Sequence, residues 1–282
     1  MKNVIKNMRY DEERALYNLK DTRVEDCVFA GEADGESVLK EARNIELDGC
    51  SFSLRYPLWH VGTFSMQSSK LDTLTRAPIW YSENVKIENC EINGTKAVRE
   101  CKNVEVKNSK IVSAEFGWKC DGVTLLDTEI ESEYLFLDSK NVRLDGVKMK
   151  GKYSFQYVEG LVIENSYLDT KDAFWHAKNI TVKNSTVNGE YLAWFSDGLT
   201  LINCKIIGTQ PLCYCKNLTL VDCEMVDTDL SFEYSDVSAT VNGNIVSVKN
   251  PKSGTITADG VGEIIFGDAV TECTGKVFIR EK

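Results

Sequence analysis

A nineteen-residue period constrains what this chain can fold into. The segments ENVKIENCEI (83–92), KNVEVKNSKI (102–111), DGVTLLDTEI (121–130) and KNVRLDGVKM (140–149) share one pattern, and EGLVIENSYL (159–168), KNITVKNSTV (178–187), DGLTLINCKI (197–206) and KNLTLVDCEM (216–225) continue it. The first apolar residue of each serves as an anchor: Val85, Val104, Val123, Val142, Leu161, Ile180, Leu199 and Leu218, every one 19 residues after the last. Val237 extends the series, and Phe64, Ile45 and Thr22 precede it at spacings of 21, 19 and 23, which makes twelve anchors. Self-similarity at such a period is the mark of a solenoid.

Within each turn the apolar positions are the anchor and the residues two, five and seven after it. The first pair alternates as a short strand does when one face is buried. No helical period appears. Nineteen residues cannot enclose a core, but stacked turns can. The expected fold is therefore all-β, a single-stranded parallel β-helix of about twelve turns. The right-handed form is expected by analogy with most β-helices. One domain over 1–282 is expected, with 1–13 covering the first turn, 14–240 forming the repeat and 241–282 forming irregular last turns and a C-terminal cap. Caps of this kind shield an open sheet edge.

Two rows mark bends. The residue before the anchor is Asn, Gly or Asp, types that tolerate left-handed backbone. Four after the anchor stand Asn89, Asn108, Asp127, Asn165, Asn184, Asn203 and Asp222, expected as a structural amide ladder between turns and not as catalytic groups. Eight of the ten cysteines fall in two rows of small residues, so free buried thiols are expected. No cysteine or histidine spacing suits zinc, and neither a metal nor a cofactor is expected.

Charge and composition exclude several classes. The 282 residues carry 33 Lys and Arg against 43 Asp and Glu, a net charge of -10, with 43% hydrophobic residues. That balance suits a folded soluble protein, and an acidic chain without a basic stripe has no nucleic-acid partner. No apolar run reaches the length of a membrane span, and the N-terminus lacks an apolar signal core. A cytoplasmic location is the expectation.

One stripe departs from the repeat. Five residues before the anchor stand Trp59, Trp80, Arg99, Trp118, Gln156, Trp175 and Trp194, which includes all five tryptophans. Four before it stand Glu41, His60, Tyr81, Glu100, Lys119, Asp138, Tyr157, His176, Phe195 and Tyr214, which includes both histidines. A third row, eight before the anchor, holds Lys96, Glu115, Tyr134, Tyr153, Asp172 and Tyr191, with Arg55 and Arg76 one residue earlier still. Strand alternation points the Trp row into the core. A bulge would instead turn both rows outward as a groove or an interface. Concentration of every Trp on one stripe favours the second reading, and aromatics on a long face suit sugar rings or a protein partner. The longer spacings place two loops, FAGEADGES (29–37) and KLDTLTRAP (70–78), beside turns two to four.

At RYPLWH (55–60) the chain resembles the uncharacterised bacterial family called domain of unknown function 3737. The similar segments are ERALYNLKDT (13–22), GEADGESVLKEARNIE (31–46), YSFQY (153–157), LDTKDAFWHAKN (168–179), PLCYCKNLTL (211–220) and VKNPKSG (248–254), spread over most of residues 10–255. The resemblance implies a pectin-lyase-like right-handed β-helix and no established reaction, so it carries over no catalytic residue.

The chemistry must come from the stripe. A glycosidase needs two carboxyl groups about 5–5.5 Å apart to retain configuration, or about 6.5–9.5 Å apart to invert it. Glu100 and Asp138 stand two turns apart, about 9.6 Å at the strand spacing, with Lys119 between them. A lyase or epimerase needs a base and a cation that neutralises a uronate carboxylate. His60 or Lys119 would be the base, Arg55, Arg76 or Arg99 the clamp, and Glu41 the group that orients His60. The candidate catalytic set is Glu41, His60, Arg99, Glu100 and Lys119. The candidate ligand-binding set is Arg55, Trp59, Arg76, Trp80, Tyr81, Trp118, Tyr157, Trp175, His176 and Trp194. The expected function is binding of a carbohydrate or a partner chain, a second copy included, through the stripe. The alternative is a lyase, epimerase or inverting glycoside hydrolase with its site near turns two to five.

Overall fold

The repeat builds one rung per period. The computed structural model describes residues 2–281 and is an all-β parallel solenoid of about fifteen turns. Two compact units divide it, Met1–Arg143 and Leu144–Lys282, and the division falls inside the strand Lys140–Asp145. In the first unit the leading strand of each rung is Asn3–Lys6, Thr22–Glu25, Arg43–Asp48, Gly62–Gln67, Glu83–Glu88, Lys102–Lys107 and Asp121–Leu126. In the second they are Glu159–Glu164, Lys178–Lys183, Asp197–Ile202, Leu218–Val226, Asp236–Lys249, Ser253–Ile265 and Lys276–Ile279. The twelve expected turns fall short because Asn3–Lys6, Ser253–Ile265 and Lys276–Ile279 also stack as rungs. No helix among the described residues is long and apolar enough to cross a membrane.

The anchors pair in register. Ile45 faces Phe64, Phe64 faces Val85, and Val85 faces Val104. In the second unit Leu161 faces Ile180 and Ile180 faces Leu199. Anchors and the residues two after them are sealed, as with Val104, Val106, Ile180 and Val182. Like residues thus stack on like along each unit, with Phe29 on Phe52 in the first and Phe155 on Phe174 in the second.

Both bend rows adopt left-handed backbone. Asn84 has φ +54 and Asn103 φ +53; Asn89 has φ +53 and Asn108 φ +46. The row four after the anchor forms a side-chain ladder in places, as where Asn203 donates to Asn184 at 2.9 Å. Its more regular bond is main-chain: Asn89 N donates to Lys107 O and Asn184 N to Ile202 O. Asn recurs there chiefly because it accepts positive φ at little cost.

The small rows carry more than size. All ten cysteines are free, and nine are buried. The Cys50 N–H donates to Ser69 Oγ at 3.0 Å and that of Ser82 to Cys101 Sγ at 3.4 Å. Ser69 Oγ in turn donates to Gln67 O at 2.7 Å. In many rungs an inward hydroxyl or thiol thus satisfies a buried main-chain donor of the preceding rung, which an alanine cannot do.

Candidate functional site

The stripe sits on a backbone that is not a strand. Residues eight, six and four before the anchor are left-handed in most rungs: Tyr56, Leu58 and His60 at φ +58, +61 and +56, and Asp172, Phe174 and His176 at +53, +61 and +56. Each such residue costs about 1–2 kcal/mol. Bonds to both neighbouring rungs offset that cost. Leu58 N donates to Val38 O and His60 N to Trp80 O; Phe174 N donates to Ser154 O and His176 N to Trp194 O. The resulting corner buries residues seven and six before the anchor, half-buries the fifth and exposes the fourth. The Trp row is therefore neither core nor free groove but the outer skin of the corner.

Each indole is locked by one rule. Its Nε1 donates to the carbonyl eight before the next anchor: Trp59 to Ala77, Trp80 to Lys96 and Trp118 to Tyr134, all at 2.7 Å. Trp175 to Tyr191 at 2.7 Å and Trp194 to Gln210 at 2.8 Å obey it in the second unit. Gln156 Nε2 reaches the same place on Asp172 at 3.4 Å.

In the first unit Trp59 and Trp80 stack with centroids 5.1 Å apart and planes 2° from parallel. The Arg99 guanidinium lies between two indoles, 5.0 Å from the ring of Trp80 and 5.4 Å from that of Trp118. Its Nε is sealed without a hydrogen bond and stands 3.5 Å from a Glu100 oxygen. One column outward, His60 stacks on Tyr81 at 4.8 Å. Glu41 accepts from Tyr17 Oη at 3.0 Å, a bond that pushes the Tyr17 phenol above its ordinary pKa. Lys119 is exposed, and its side chain makes no ion pair among the described residues. Arg55 is taken by Asp34 and Glu36 of the 29–37 loop at 3.3 and 3.7 Å. Arg76, exposed, closes the short Thr73–Thr75 turn at φ +55.

In the second unit Tyr157, His176, Phe195 and Tyr214 form one stack, with successive spacings of 5.1, 5.0 and 4.8 Å. Trp175 and Trp194 stack behind it at 5.4 Å. Tyr234 adds a further, tilted ring at 5.7 Å from Tyr214. The nineteen-residue rule puts Glu233 in this column, because the step from Tyr214 to Tyr234 is 20 residues. Burial shows the shift, since Phe232 takes the sealed place that Leu212 holds one rung earlier.

This geometry sets what the stripe offers. Because ring faces cover one another, mostly ring edges and polar tips meet solvent. A sugar ring finds few open indole faces on which to lie. The candidate catalytic residues share one face of the first unit, but none lines a cavity described here. The largest such cavity is a shallow groove of about 520 Å³ on the strand face of the first unit, with Glu46, Lys86 and Glu105 among its walls. An adjoining hollow of about 340 Å³ adds Arg23, Asp48 and Lys107. None of these residues is singled out by the sequence. The only signal was the charged residues one after the anchor, Arg23, Glu46, Lys86 and Glu105, with Asp48 and Lys107 three after it. No group of three His, Cys, Asp or Glu among the described residues is placed to hold a metal ion.

The family model "Protein of unknown function (DUF3737)" matches residues 3–278. The chain belongs to that family. No curated protein matches the chain in sequence. Among solved structures, this DUF3737 protein is similar to PfbA, a surface adhesin of Streptococcus pneumoniae, at 9% identity over 85% of this chain and 84% of that one, with a TM-score of 0.49. It is also similar to the A-module of the mannuronan C-5 epimerase AlgE4 of Azotobacter vinelandii, at 12% identity over 99% and 89% of the two chains, with a TM-score of 0.35. Neither likeness reaches a level at which side chains can be equated.

Proposed function

We propose that this protein binds carbohydrate along the outer corner of its first unit. The observation that carries the reading is the column Glu41, His60, Tyr81, Glu100 and Lys119, one polar tip per rung. Its tips are spaced by about 4.8 Å, close to the length of one sugar residue in an extended chain. Behind it the Trp59, Trp80, Arg99 and Trp118 stack fixes the backbone, so the column need not reorganise its main chain on binding. The contacts are hydrogen bonds from ring edges and charged tips rather than ring-on-ring stacking. A glycan array followed by calorimetry on wild type and on His60→Ala/Glu100→Ala tests this. The double variant should stay folded, melting within about 4 °C of wild type after losing the His60–Tyr81 stack, and lose about tenfold in affinity, one good hydrogen bond's worth. Equal affinity, or no glycan bound by folded wild type, refutes it.

The groove of about 520 Å³ favours a second reading, a carbohydrate-active lyase, epimerase or hydrolase. Its acid and base would then be Glu46, Lys86 and Glu105 rather than Glu41, His60, Arg99, Glu100 and Lys119. Mass analysis of incubated oligosaccharides separates the two, since a binding module leaves every mass unchanged.

A further inference from the structure

Asp172 breaks the pattern of the second unit in a way that no packing role explains. It occupies the position eight before Ile180, where the rungs on either side carry Tyr153 and Tyr191. It is 8% exposed, yet its carboxylate has no hydrogen-bond partner among the described residues. Its main chain is fully used: the N–H donates to Glu190 O at 3.0 Å, and the carbonyl accepts from Gln156 Nε2 at 3.4 Å. Burial lifts its pKa above the ordinary carboxylate value, with the Lys171 ammonium opposing and the Glu190 carboxylate adding to the rise. The residue is largely enclosed while its oxygens still reach solvent, so their donors come from outside the described residues.

What the site lacks is donors rather than positive charge. Lys171 already supplies a cation nearby, with its Nζ 2.9 Å from Glu190 and 5.1 Å from the centre of the Tyr191 ring. A second ammonium would meet repulsion from it. Uncharged donors meet none, and the carboxylate oxygens are not among the sealed polar atoms. The surroundings are aromatic and rigid. Trp175 is pinned to the Tyr191 carbonyl, and Tyr191 packs against the edge of Trp194 at 5.6 Å. A hydroxyl-bearing carbon skeleton suits an acceptor set among ring edges.

We propose that Asp172 anchors a subsite for a neutral sugar unit, its carboxylate accepting hydrogen bonds from ring hydroxyls beside Trp175 and Tyr191. The inference rests on the carbohydrate reading above but places a contact in the other unit, on a residue outside that column. Glu190 stays with Lys171, and Trp175 and Tyr191 shape the opening.

The test pairs two readouts on Asp172→Asn. Without sugar, the variant should melt at a higher temperature than wild type at neutral pH, because a desolvated charge is gone. With maltotetraose, cellotetraose, xylotetraose and mannotetraose as probes in calorimetry, whichever binds wild type should bind the variant at least tenfold more weakly. Asp172→Ala should lose at least as much. A lower melting temperature for Asp172→Asn would mark a structural acid and overturn the inference. Unchanged affinity for a bound tetrasaccharide would overturn it and leave the carbohydrate reading standing. Wild type binding none of the four, and no glycan on the array, would overturn both.

Discussion

Replacing Arg99 by tryptophan tests whether the Trp row is a ladder of interchangeable units. Arg99 is the one cation between indoles, and parallel bridges join its backbone to Trp80 and Trp118 in register. Arg99→Trp removes two cation–π contacts of about 0.5–1 kcal/mol each. It adds two stacked aromatic contacts of about 0.5–1.5 kcal/mol each. The new Nε1 reaches the Glu115 carbonyl, eight before Val123, and adds about 1 kcal/mol. The sealed Arg99 Nε, which has no acceptor, disappears. The lost ion pair with Glu100, 23% and 41% exposed at its two ends, is worth about 0–1 kcal/mol after screening. The balance favours tryptophan by about 2 kcal/mol. Guanidinium unfolding should show a higher midpoint at unchanged slope, and the melting temperature should rise by about 4 °C. A variant destabilised by about 1 kcal/mol or more would refute the reasoning, because the guanidinium would then have a specific partner that an indole cannot replace.

Gly117, at φ +73, lies where an added Cβ would press into the buried Phe136 ring; Gly117→Ala should cost about 3 kcal/mol in the same unfolding assay. Titration of native protein with a thiol reagent should modify Cys273 first and the nine buried thiols only on unfolding; rapid reaction of several thiols would refute the sealed rows. The folded state keeps the Asp172 proton to higher pH than the unfolded chain does, whose ordinary value is 3.8. The folded state therefore binds more protons in that window, and stability from this group falls as pH rises through and above 3.8. The melting-temperature gap between Asp172→Asn and wild type should accordingly widen from pH 3 to pH 7, and a constant gap would refute the assignment.

The anchors and small rows were legible because a solenoid repeats its environment: what is buried at Val104 is buried at Val123, so one period reports on all. The corner was not, since strand alternation predicts an inward or an outward Trp and the alternating left-handed residues Tyr56, Leu58 and His60 obey neither rule. The signal was present in the pairs of buried residues seven and six before the anchor, as at Ser154 and Phe155, which no strand with one buried face shows. Tyr234 was hidden by a single inserted residue, which shifts every later position by one and replaces a tyrosine with Glu233 in the row. The strand-face groove was hidden for a different reason: residues of several rungs line it, and no one rung reports it.

These points change which residues deserve a functional reading. In a stacked fold, recurrence at one position first reports the needs of the stack. Five tryptophans in one row bond five equivalent carbonyls, so their concentration is a requirement of the corner before it is evidence of a ligand. The informative positions are those where the row is broken and the structure leaves the break unsatisfied. Arg99 replaces an indole and leaves its Nε without an acceptor; Asp172 stands between rungs that carry tyrosine, largely enclosed, and no described residue donates to its carboxylate. The two differ in what would satisfy them. Glu100 stands 3.5 Å from the Arg99 Nε, so a small side-chain shift would close that gap from within the chain. No described residue donates to the Asp172 carboxylate, whose oxygens are not sealed, so its donors come from water or from the proposed sugar.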